Sequence, residues 1–207
     1  MNFLLEINNY FLLFVIMACS YLIGSISFGI IITKLIGVDN LRSLGSGNIG
    51  ATNVLRTGNK MAAALTLVLD SGKGYAVIFL VTTFFGNGYL IFAGLAVFFG
   101  HIFPIYYRFK GGKGVATFLG IILAMNFIVG ALVCVSWVII AIISKKSSLA
   151  ALGSSLLCPV FFLGTETGEQ ILFSGILVLM IWLLHRENIK RIIYRTEPSI
   201  NLKNNFK

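Results

Sequence analysis

The sequence YFLLFVIMACSYLIGSISFGIIIT, residues 10–33, decides the fold class of this chain. It carries no charged residue and exceeds the roughly 20 apolar residues that a helix needs to cross a bilayer. No basic segment precedes it, no small-residue cleavage site is evident, and it is too long for a signal peptide. We therefore expect a retained membrane helix.

The composition of the whole chain agrees with this expectation. Hydrophobic residues make up 57% of the sequence and charged residues 11%, with a mean hydropathy of +0.94. Soluble domains are about a quarter charged. We predict an all-α, polytopic integral membrane protein, with residues 1–207 forming a single domain. Cys19, Cys134 and Cys158 lie far apart in apolar runs, which indicates packing residues and neither a disulfide framework nor a metal site.

The apolar runs predict up to seven membrane helices. One run, 115–144, is longer than one crossing needs. We favour a hairpin that turns at Asn126 over one long helix, because the hairpin places Lys145 and Lys146 on the same side as the other basic loops. A count of five to seven crossings stays open. The predicted helices cover residues 10–33, 61–85, 89–106, 115–125, 128–144, 149–163 and 170–184.

The distribution of charge predicts the orientation. The chain has 16 Lys and Arg against 7 Asp and Glu, a net charge of +9. In a soluble protein this excess would suggest nucleic acid, but cytoplasmic loops of membrane proteins collect Lys and Arg. With the N-terminus outside, every cation except Lys73 lies on the inner side, whereas Glu6, Glu166 and Glu169 lie outside. We predict an N-out, C-in topology and no nucleic-acid partner.

Residues 43–56 form a polar, glycine-rich stretch that contains no carboxylate. Glycines let backbone N–H groups approach a ligand closely, and such amide nests bind anions. A flexible polar loop is the alternative interpretation, which the density of hydroxyls and amides disfavours. The candidate anion-binding residues are Ser46, Gly47, Asn48, Thr52, Asn53 and Arg56.

A second polar cluster combines Gly-His-Ile-Phe-Pro, at 100–104, with Phe-Lys-Gly-Gly-Lys-Gly-Val-Ala-Thr, at 109–117. Ammonium groups and the first amides of a following helix together attract anions. The spacing of a nucleotide-binding P-loop is absent, so nucleotide hydrolysis is not indicated. A basic anchor for lipid headgroups is the alternative. The candidates are His101, Lys110, Gly111, Gly112, Lys113 and Thr117.

A third cluster, His-Arg-Glu-Asn-Ile at 185–189, follows the last apolar run. On a continuing helix His185 and Asn188 share a face. Binding and a basic membrane anchor explain this segment about equally well. Asp70 and Lys73 are spaced i, i+3 inside a membrane helix, which favours a structural pair that supports the site. Ser148 opens a helix, where capping is the default role.

Together these clusters resemble the acyl-phosphate:glycerol-3-phosphate acyltransferase family of bacterial membranes. The resemblance rests on four motifs in order, at 45–56, 100–104, 109–117 and 185–189, and covers nearly the whole chain. Ser27 stands where the family usually has proline, and Gly72 is unusual within the Asp-x-x-Lys-Gly motif. Ser148, which matches a serine of the family, lies in a less typical Lys-Lys-Ser-Ser context.

The resemblance implies a seven-helix enzyme of the bacterial cytoplasmic (inner) membrane with its site on the cytoplasmic face. The family transfers a fatty acyl group from acyl phosphate to the 1-hydroxyl of sn-glycerol 3-phosphate, giving lysophosphatidic acid and phosphate in phospholipid synthesis. We expect these two substrates and membrane lipid as partners, no cofactor, and contact with a soluble enzyme that produces acyl phosphate.

The resemblance also assigns roles to the candidates. Acyl phosphate is already activated, and the His-x-x-x-x-Asp pair of thioester-using acyltransferases is absent, so we expect catalysis by holding two anions and neutralising their charge. Whether His185 or a substrate phosphate takes the hydroxyl proton stays open. The candidate catalytic residues are Arg56, Lys113 and His185. The candidate substrate-binding residues are Ser46, Gly47, Asn48, Thr52, Asn53, Lys110, Gly111, Gly112, Thr117, Ser148, Glu187 and Asn188, supported by Asp70, Lys73 and His101.

Two other classes of function compete with this prediction. A transporter for an organic phosphate should place polar residues through the midplane and on both faces. In this sequence the polar clusters fall on one predicted face, which disfavours transport. A lipid-binding scaffold without enzymatic activity is a weaker third interpretation.

Overall fold

The computed structural model of the protein describes residues 2–38, 40–164 and 168–200, and its regular elements are all helical, as predicted. Short 3-10 turns lie at Leu41–Ser43, Asn87–Tyr89 and Ile105–Tyr107. The α-helices are α1 (Asn2–Gly24), α2 (Phe28–Leu35), α3 (Ala51–Leu55), α4 (Lys60–Phe85), α5 (Leu90–Ile102), α6 (Val115–Met125), α7 (Phe127–Ser144), α8 (Ser147–Phe162), α9 (Gly168–Leu184) and α10 (Arg186–Ile193).

The first apolar run is broken between α1 and α2, so the prediction of one uninterrupted helix over 10–33 is wrong. Gly24 packs directly on the backbone of Val97, where an added Cβ would lie 2.2 Å from the carbonyl oxygen. The carbonyl of Ile26, within the break, accepts a hydrogen bond of 2.6 Å from the buried ammonium of Lys73. Tertiary contacts therefore satisfy backbone groups that a continuous helix would satisfy internally.

The predicted turn at Asn126 is confirmed. Asn126 separates α6 from α7, and its side chain caps α7 by accepting a hydrogen bond of 3.0 Å from the Val129 N–H. Gly130 lies against the backbone of Leu123, a contact that requires the chain to fold back. A polar residue that can cap a helix thus ends one short helix and starts the next.

Two short helices were not predicted. Helix α3 lies inside the glycine-rich stretch, and α10 forms from the basic segment after α9. The axis of α10 is bent by 61° from that of α9, with His185 at the bend, so this segment does not continue the preceding helix as predicted. The remaining predicted helices end within a few residues of α4, α5, α8 and α9.

By length and apolar composition, four helical segments in the described part of the chain can each cross a membrane: residues 9–35, 60–85, 87–107 and 127–144. The bent pair α9–α10 would make a fifth. Helices α6 and α8 are apolar but shorter. The outward turn predicted around Glu166 lies outside the described residues.

The helices pack in pairs around a common core. Helix α4 lies against α6, α1 against α5, and α7 against both α8 and α6. Four phenylalanine side chains are fully buried at the centre of this packing: Phe98, Phe118, Phe162 and Phe173. The described loops at one end of the helices bring residues from all three polar clusters around one cavity.

Candidate active site

A cavity of about 290 Å³ lies where the three polar clusters meet. Its polar side chains come mainly from loops and the ends of helices, and its apolar side chains come from within helices; we call these two parts the polar end and the apolar end. The polar residues come from separate parts of the chain, and the described residues at this end are Ser46, Asn48, Thr52, Asn53, Arg56, Asp70, His101, Lys113, Ser147, Ser148, His185, Asn188 and Glu197.

The apolar end of the cavity is formed by helices α4, α6, α7 and α8. Its main side chains are Leu67, Leu119, Trp137 and Val138. Leu67 and Val138 are also 45% and 49% exposed on the apolar outer surface. The apolar end therefore reaches the surface that faces lipid, whereas the polar end lies among charged side chains.

Helix N-termini add positive potential to the polar end. Gly114 caps α6, Ser148 lies in the first turn of α8, and His185 caps α10, and all three line the cavity. The first N–H groups of a helix lack intrahelical partners, and the helix dipole makes this end attractive to anions. The arrangement suits a phosphate or another oxyanion.

Asn53 organises the glycine-rich stretch. Its side chain donates to the carbonyls of Leu41 and Leu44, at 2.9 and 3.0 Å, and accepts from the Ser46 N–H at 3.2 Å. The guanidinium of Arg56 donates to the same amide oxygen at 3.1 Å. Asn53 is buried and all the polar atoms of its side chain are used within the loop, so it shapes the site.

Lys113 belongs to a hydrogen-bonded group that we call the cavity cluster: Lys113, Asn188, Arg191 and Glu197. The Lys113 ammonium donates to the amide oxygen of Asn188. The Asn188 amide nitrogen and the Arg191 Nε each donate to one oxygen of the Glu197 carboxylate, both at 2.7 Å. This network fixes which way the Asn188 amide points.

Glu197 is the residue that sequence reasoning missed. It lies in the tail after α10, where no motif or spacing marks it. Burial alone would raise its pKa, but the nearby Ser148 hydroxyl and the hydrogen bonds from Asn188 and Arg191 hold the pKa of Glu197 below its usual range. Glu197 is therefore a buried, ionised carboxylate beside the cations of the cavity cluster, Lys113 and Arg191.

The pKa values of two cations in the cavity lie below their usual range. Burial, reinforced by the neighbouring charge of Arg191, lowers the pKa of Lys113 to about 8, although Glu197 opposes this effect. Burial also lowers the pKa of Arg56. Two cations held in a partly dehydrated space gain by accepting an anion, since the anion restores the lost solvation.

His185 has a defined tautomer. Its Nδ1 lies 2.8 Å from the carbonyl oxygen of Ile181. A carbonyl only accepts, so Nδ1 carries the proton and Nε2 of the neutral ring is left as an acceptor. A buried His185 with this tautomer can accept a hydrogen bond from a substrate hydroxyl.

Ser148 is prepared for a ligand. The residue is 4% exposed, and its hydroxyl makes no hydrogen bond of normal geometry with any described residue. A buried hydroxyl left in this state costs stability. Because Ser148 lines the cavity, a bound substrate can supply the missing partner.

Asp70, Lys73 and His101 form a second charged group, which we call the membrane cluster. The Lys73 ammonium donates to Asp70 Oδ1 at 2.8 Å, to the Ile26 carbonyl at 2.6 Å and to His101 Nδ1 at 3.0 Å. All three of its protons are used. Since His101 Nδ1 accepts, the proton of its neutral ring lies on Nε2. The predicted pairing of Asp70 with Lys73 is present, and the supporting role of this cluster stays a prediction.

Seven of the predicted residues lie outside the cavity wall, and their direct roles stay predictions. Lys110 and Glu187 are exposed; the Lys110 carbonyl accepts from Arg42, and Glu187 pairs with Lys190 at 3.3 Å. Thr117 is buried and donates to the Asp70 carbonyl at 3.1 Å. The other four are Gly47, which has a φ of +70° in a turn, Lys73, and the tightly packed Gly111 and Gly112.

This fold and this cavity define an all-helical membrane protein with a cavity suited to a phosphate beside an apolar chain. A family model described as glycerol-3-phosphate acyltransferase matches residues 14–195. The chain belongs to the glycerol-3-phosphate acyltransferase family, and the predicted activity, acyl transfer to glycerol 3-phosphate, is confirmed by this membership.

Individual relatives agree. The glycerol-3-phosphate acyltransferase of Dinoroseobacter shibae is 47% identical over 184 residues, covering 89% of this chain and 91% of the relative. That of a Jannaschia species is 50% identical over 181 residues, covering 87% and 89%.

Two solved structures match the fold. The crystal structure of PlsY, an integral membrane glycerol 3-phosphate acyltransferase, in its glycerol 3-phosphate form has a TM-score of 0.87 and 35% identity, covering 91% of this chain and 96% of that one. The lysophosphatidic acid form of PlsY has a TM-score of 0.85, 34% identity and coverage of 92% and 96%. The protein is therefore an all-α integral membrane protein.

Proposed function

We propose that the protein transfers a fatty acyl group from acyl phosphate to the 1-hydroxyl of sn-glycerol 3-phosphate, which gives lysophosphatidic acid and phosphate. The observation that carries this proposal is a single cavity that joins a cationic end to an apolar end open toward lipid. An acyl phosphate has the same two halves. Its phosphate fits beside Arg56 and Lys113, and its chain fits along Leu67 and Trp137.

In the proposed reaction the hydroxyl oxygen attacks the acyl carbonyl carbon, and the bond from that carbon to the phosphate oxygen breaks. His185 Nε2 accepts a hydrogen bond from the hydroxyl and orients it. The proton passes to the departing phosphate. His185 is a poor final acceptor because its Nδ1 bonds to a backbone carbonyl, with no carboxylate to stabilise an imidazolium.

The rest of the acceleration comes from holding and neutralising two anions. Arg56 and Lys113 counter phosphate charge that would otherwise repel the second substrate, and the N-termini of α6 and α8 add backbone donors. Bringing the reacting atoms together at fixed geometry supplies a further part. Ser46, Asn48 and Thr52 complete the phosphate cradle, while Ser148 and Asn188 hold glycerol 3-phosphate.

The proposal includes a membrane orientation. Seven apolar helical units (α1 with α2, α4, α5, α6, α7, α8 and α9) would give seven crossings, N-out and C-in. The active site would face the cytoplasm at the bacterial inner membrane. The short α6 and α8 would require local thinning of the bilayer. A cytoplasmic site would also be open to a soluble enzyme that produces acyl phosphate.

Single cysteines in a variant without native cysteines test this orientation. An impermeant maleimide added outside intact cells should label Asn126→Cys and not Lys145→Cys. The reverse pattern would overturn the orientation, and labelling of both positions from one side would overturn the seven crossings.

One assay tests the reaction. Purified protein in liposomes is given acyl phosphate and labelled glycerol 3-phosphate. The proposal expects labelled lysophosphatidic acid, and Arg56→Ala and Lys113→Ala should each greatly reduce its rate. Wild-type rates in both variants would contradict the site assignment. Passage of labelled glycerol 3-phosphate across the liposome without acylation would instead favour the transporter.

A further inference from the structure

Residues 111–114 form the loop Gly-Gly-Lys-Gly, in which Lys113 is flanked by glycines. An added Cβ on Gly111 would lie 2.1 Å from the His101 carbonyl oxygen and 2.3 Å from that of Ile102. On Gly114 it would lie 2.3 Å from the ring of Phe98. The loop backbone is thus pressed against α5, and Lys113 is the residue of this loop that reaches the cavity with a side chain.

Gly112 differs from its neighbours in what it touches. A Cβ there would lie 2.3 Å from Nε2 of His101, an atom of a side-chain ring. The Gly112 N–H also donates to the His101 carbonyl at 3.1 Å. The imidazole therefore forms the surface on which the backbone next to Lys113 rests.

The imidazole itself cannot move freely. His101 is 3% exposed, and its Nδ1 accepts the hydrogen bond of 3.0 Å from Lys73. The Lys73 ammonium is fixed in turn by Asp70 and by the Ile26 carbonyl in the break between α1 and α2. A chain of contacts thus connects the membrane cluster to the loop that carries Lys113.

We propose that His101 is a positioning residue: its ring, held by Lys73, supports Gly112 and thereby sets the position of the Lys113 ammonium at the phosphate end of the cavity. His101 acts through Gly112 and Lys113 and does not touch the reacting atoms. A role of His101 in catalysis rests on the proposed function. The effect that we test directly is the affinity of the cavity for phosphate.

The neighbouring glycines give a matched test. Gly111→Ala and Gly112→Ala are each made alone and together with His101→Ala, and the dissociation constant for inorganic phosphate is measured on the purified full chain in detergent. Gly112→Ala should weaken phosphate binding at least tenfold. Removing the ring makes room for the new methyl group, so Gly112→Ala with His101→Ala should bind within about threefold of His101→Ala alone.

Gly111→Ala is the control within the same loop. Its methyl group would strike backbone carbonyls, which His101→Ala leaves in place, so the second substitution should not restore its phosphate affinity. Gly72→Ala, where nothing lies within 4 Å of the added Cβ, should behave as the wild type. Equal rescue of both loop variants, or rescue of neither, overturns the proposal.

A second variant covers failure of Gly112→Ala to fold. His101→Asn keeps an acceptor for Lys73 but withdraws the ring edge from Gly112. Phosphate affinity should fall at least threefold while the melting temperature stays within a few degrees; unchanged affinity overturns the proposal. Phosphate binding is measured without acyl donor, so absence of acyl transfer in the wild type would defeat the proposed function and leave this inference to be decided separately.

Discussion

The membrane cluster and the cavity cluster both contain a lysine with a buried acidic partner nearby, yet they use their charges differently. In the membrane cluster Lys73 directs all three protons at Asp70, His101 and the Ile26 carbonyl. In the cavity cluster Lys113 has one hydrogen-bond partner, Asn188, among the described residues. A lysine whose donors are satisfied holds helices together, whereas one with donors to spare can bind a substrate.

The acidic residues differ in the same way. Asp70 contacts Lys73 directly, so its carboxylate neutralises the charge of that lysine. Glu197 reaches Lys113 only through Asn188 and gives its own oxygens to Asn188 and Arg191. Glu197 therefore steadies the cavity cluster without neutralising Lys113. Buried polarity alone therefore does not distinguish a structural lysine from a candidate substrate-binding one; unused donors facing a cavity favour the second role.

The largest expected effect follows from removing the unused donors. Lys113→Ala should lower kcat/KM for acyl transfer by about 10²–10³-fold, the range for one preorganised donor to developing charge. Its melting temperature should stay within a few degrees of the wild type. Lys110→Ala is the matched control, since its side chain is exposed outside the cavity, and it should cost less than threefold. Equal losses of kcat/KM in the two variants would contradict a special role of Lys113 relative to Lys110.

The membrane cluster should show the opposite pattern. Asp70→Asn leaves the Lys73 charge buried without its counter-ion, which should destabilise the protein by about 3–5 kcal/mol. Thermal unfolding in detergent measures this loss. Adding Lys73→Met removes both charges and should recover part of the stability. A wild-type melting temperature for Asp70→Asn would mean that this ion pair does not hold the fold.

The sequence predicted what depends on local pattern. Apolar runs predicted the positions of the helices. Asn126 predicted the hairpin, because a polar residue that can cap a helix interrupts an apolar run. The break at Ile26 was not predictable in this way, because the backbone carbonyl of Ile26 finds its partner in Lys73, 47 residues further along the chain. Lys113 and Asn188 are 75 residues apart. Motif resemblance brought them together; spacing alone would not have done so.

Glu197 shows where motif reasoning ends. Its role depends on the tail folding back after α10, with the Glu197 N–H donating to the Arg191 carbonyl at 3.1 Å and the Ile200 N–H to the Lys145 carbonyl at 2.8 Å. These are single contacts of the tail with α10 and with the turn before α8, and they follow no periodic pattern in the sequence. The predicted roles of Lys110 and Glu187 came from their places in the motifs at 109–117 and 185–189, and the structure places both side chains on the exposed surface.

The influence of Glu197 on Lys113 should appear in the pH dependence. In the proposed site the protonated form of Lys113 binds phosphate, and burial lowers the pKa of Lys113 to about 8. KM for acyl phosphate should therefore rise as the pH passes 8. The Glu197 charge raises the pKa of Lys113, so Glu197→Gln should move this rise to lower pH. Steady-state rates between pH 6.5 and 9.5 measure it.

Lys113→Arg provides the reference for this profile. A guanidinium keeps its proton throughout the range, so the rise of KM near pH 8 should disappear or move to higher pH. If Glu197→Gln and the wild type gave superimposable profiles, the acidic residue would serve only to hold the tail in place.

The smallest expected effect concerns the unpartnered hydroxyl of Ser148. Ser148→Ala should raise KM for glycerol 3-phosphate about fivefold, as expected for the loss of one hydrogen bond worth about 1 kcal/mol. Stability should change little, because the hydroxyl makes no hydrogen bond of normal geometry and its removal takes away only its support of the Glu197 carboxylate.

Ser155 provides the matched control for Ser148 on the same helix. It is equally buried, but its hydroxyl already donates to the Leu152 carbonyl at 3.0 Å and lies outside the cavity wall. Ser155→Ala should leave KM unchanged and lower the melting temperature slightly. We therefore expect Ser148 to affect binding and Ser155 to affect stability, like the cavity cluster and the membrane cluster. An equal rise in KM for Ser155→Ala and Ser148→Ala would contradict this distinction. The test is sensitive because both variants remove one oxygen atom and leave every charge in place.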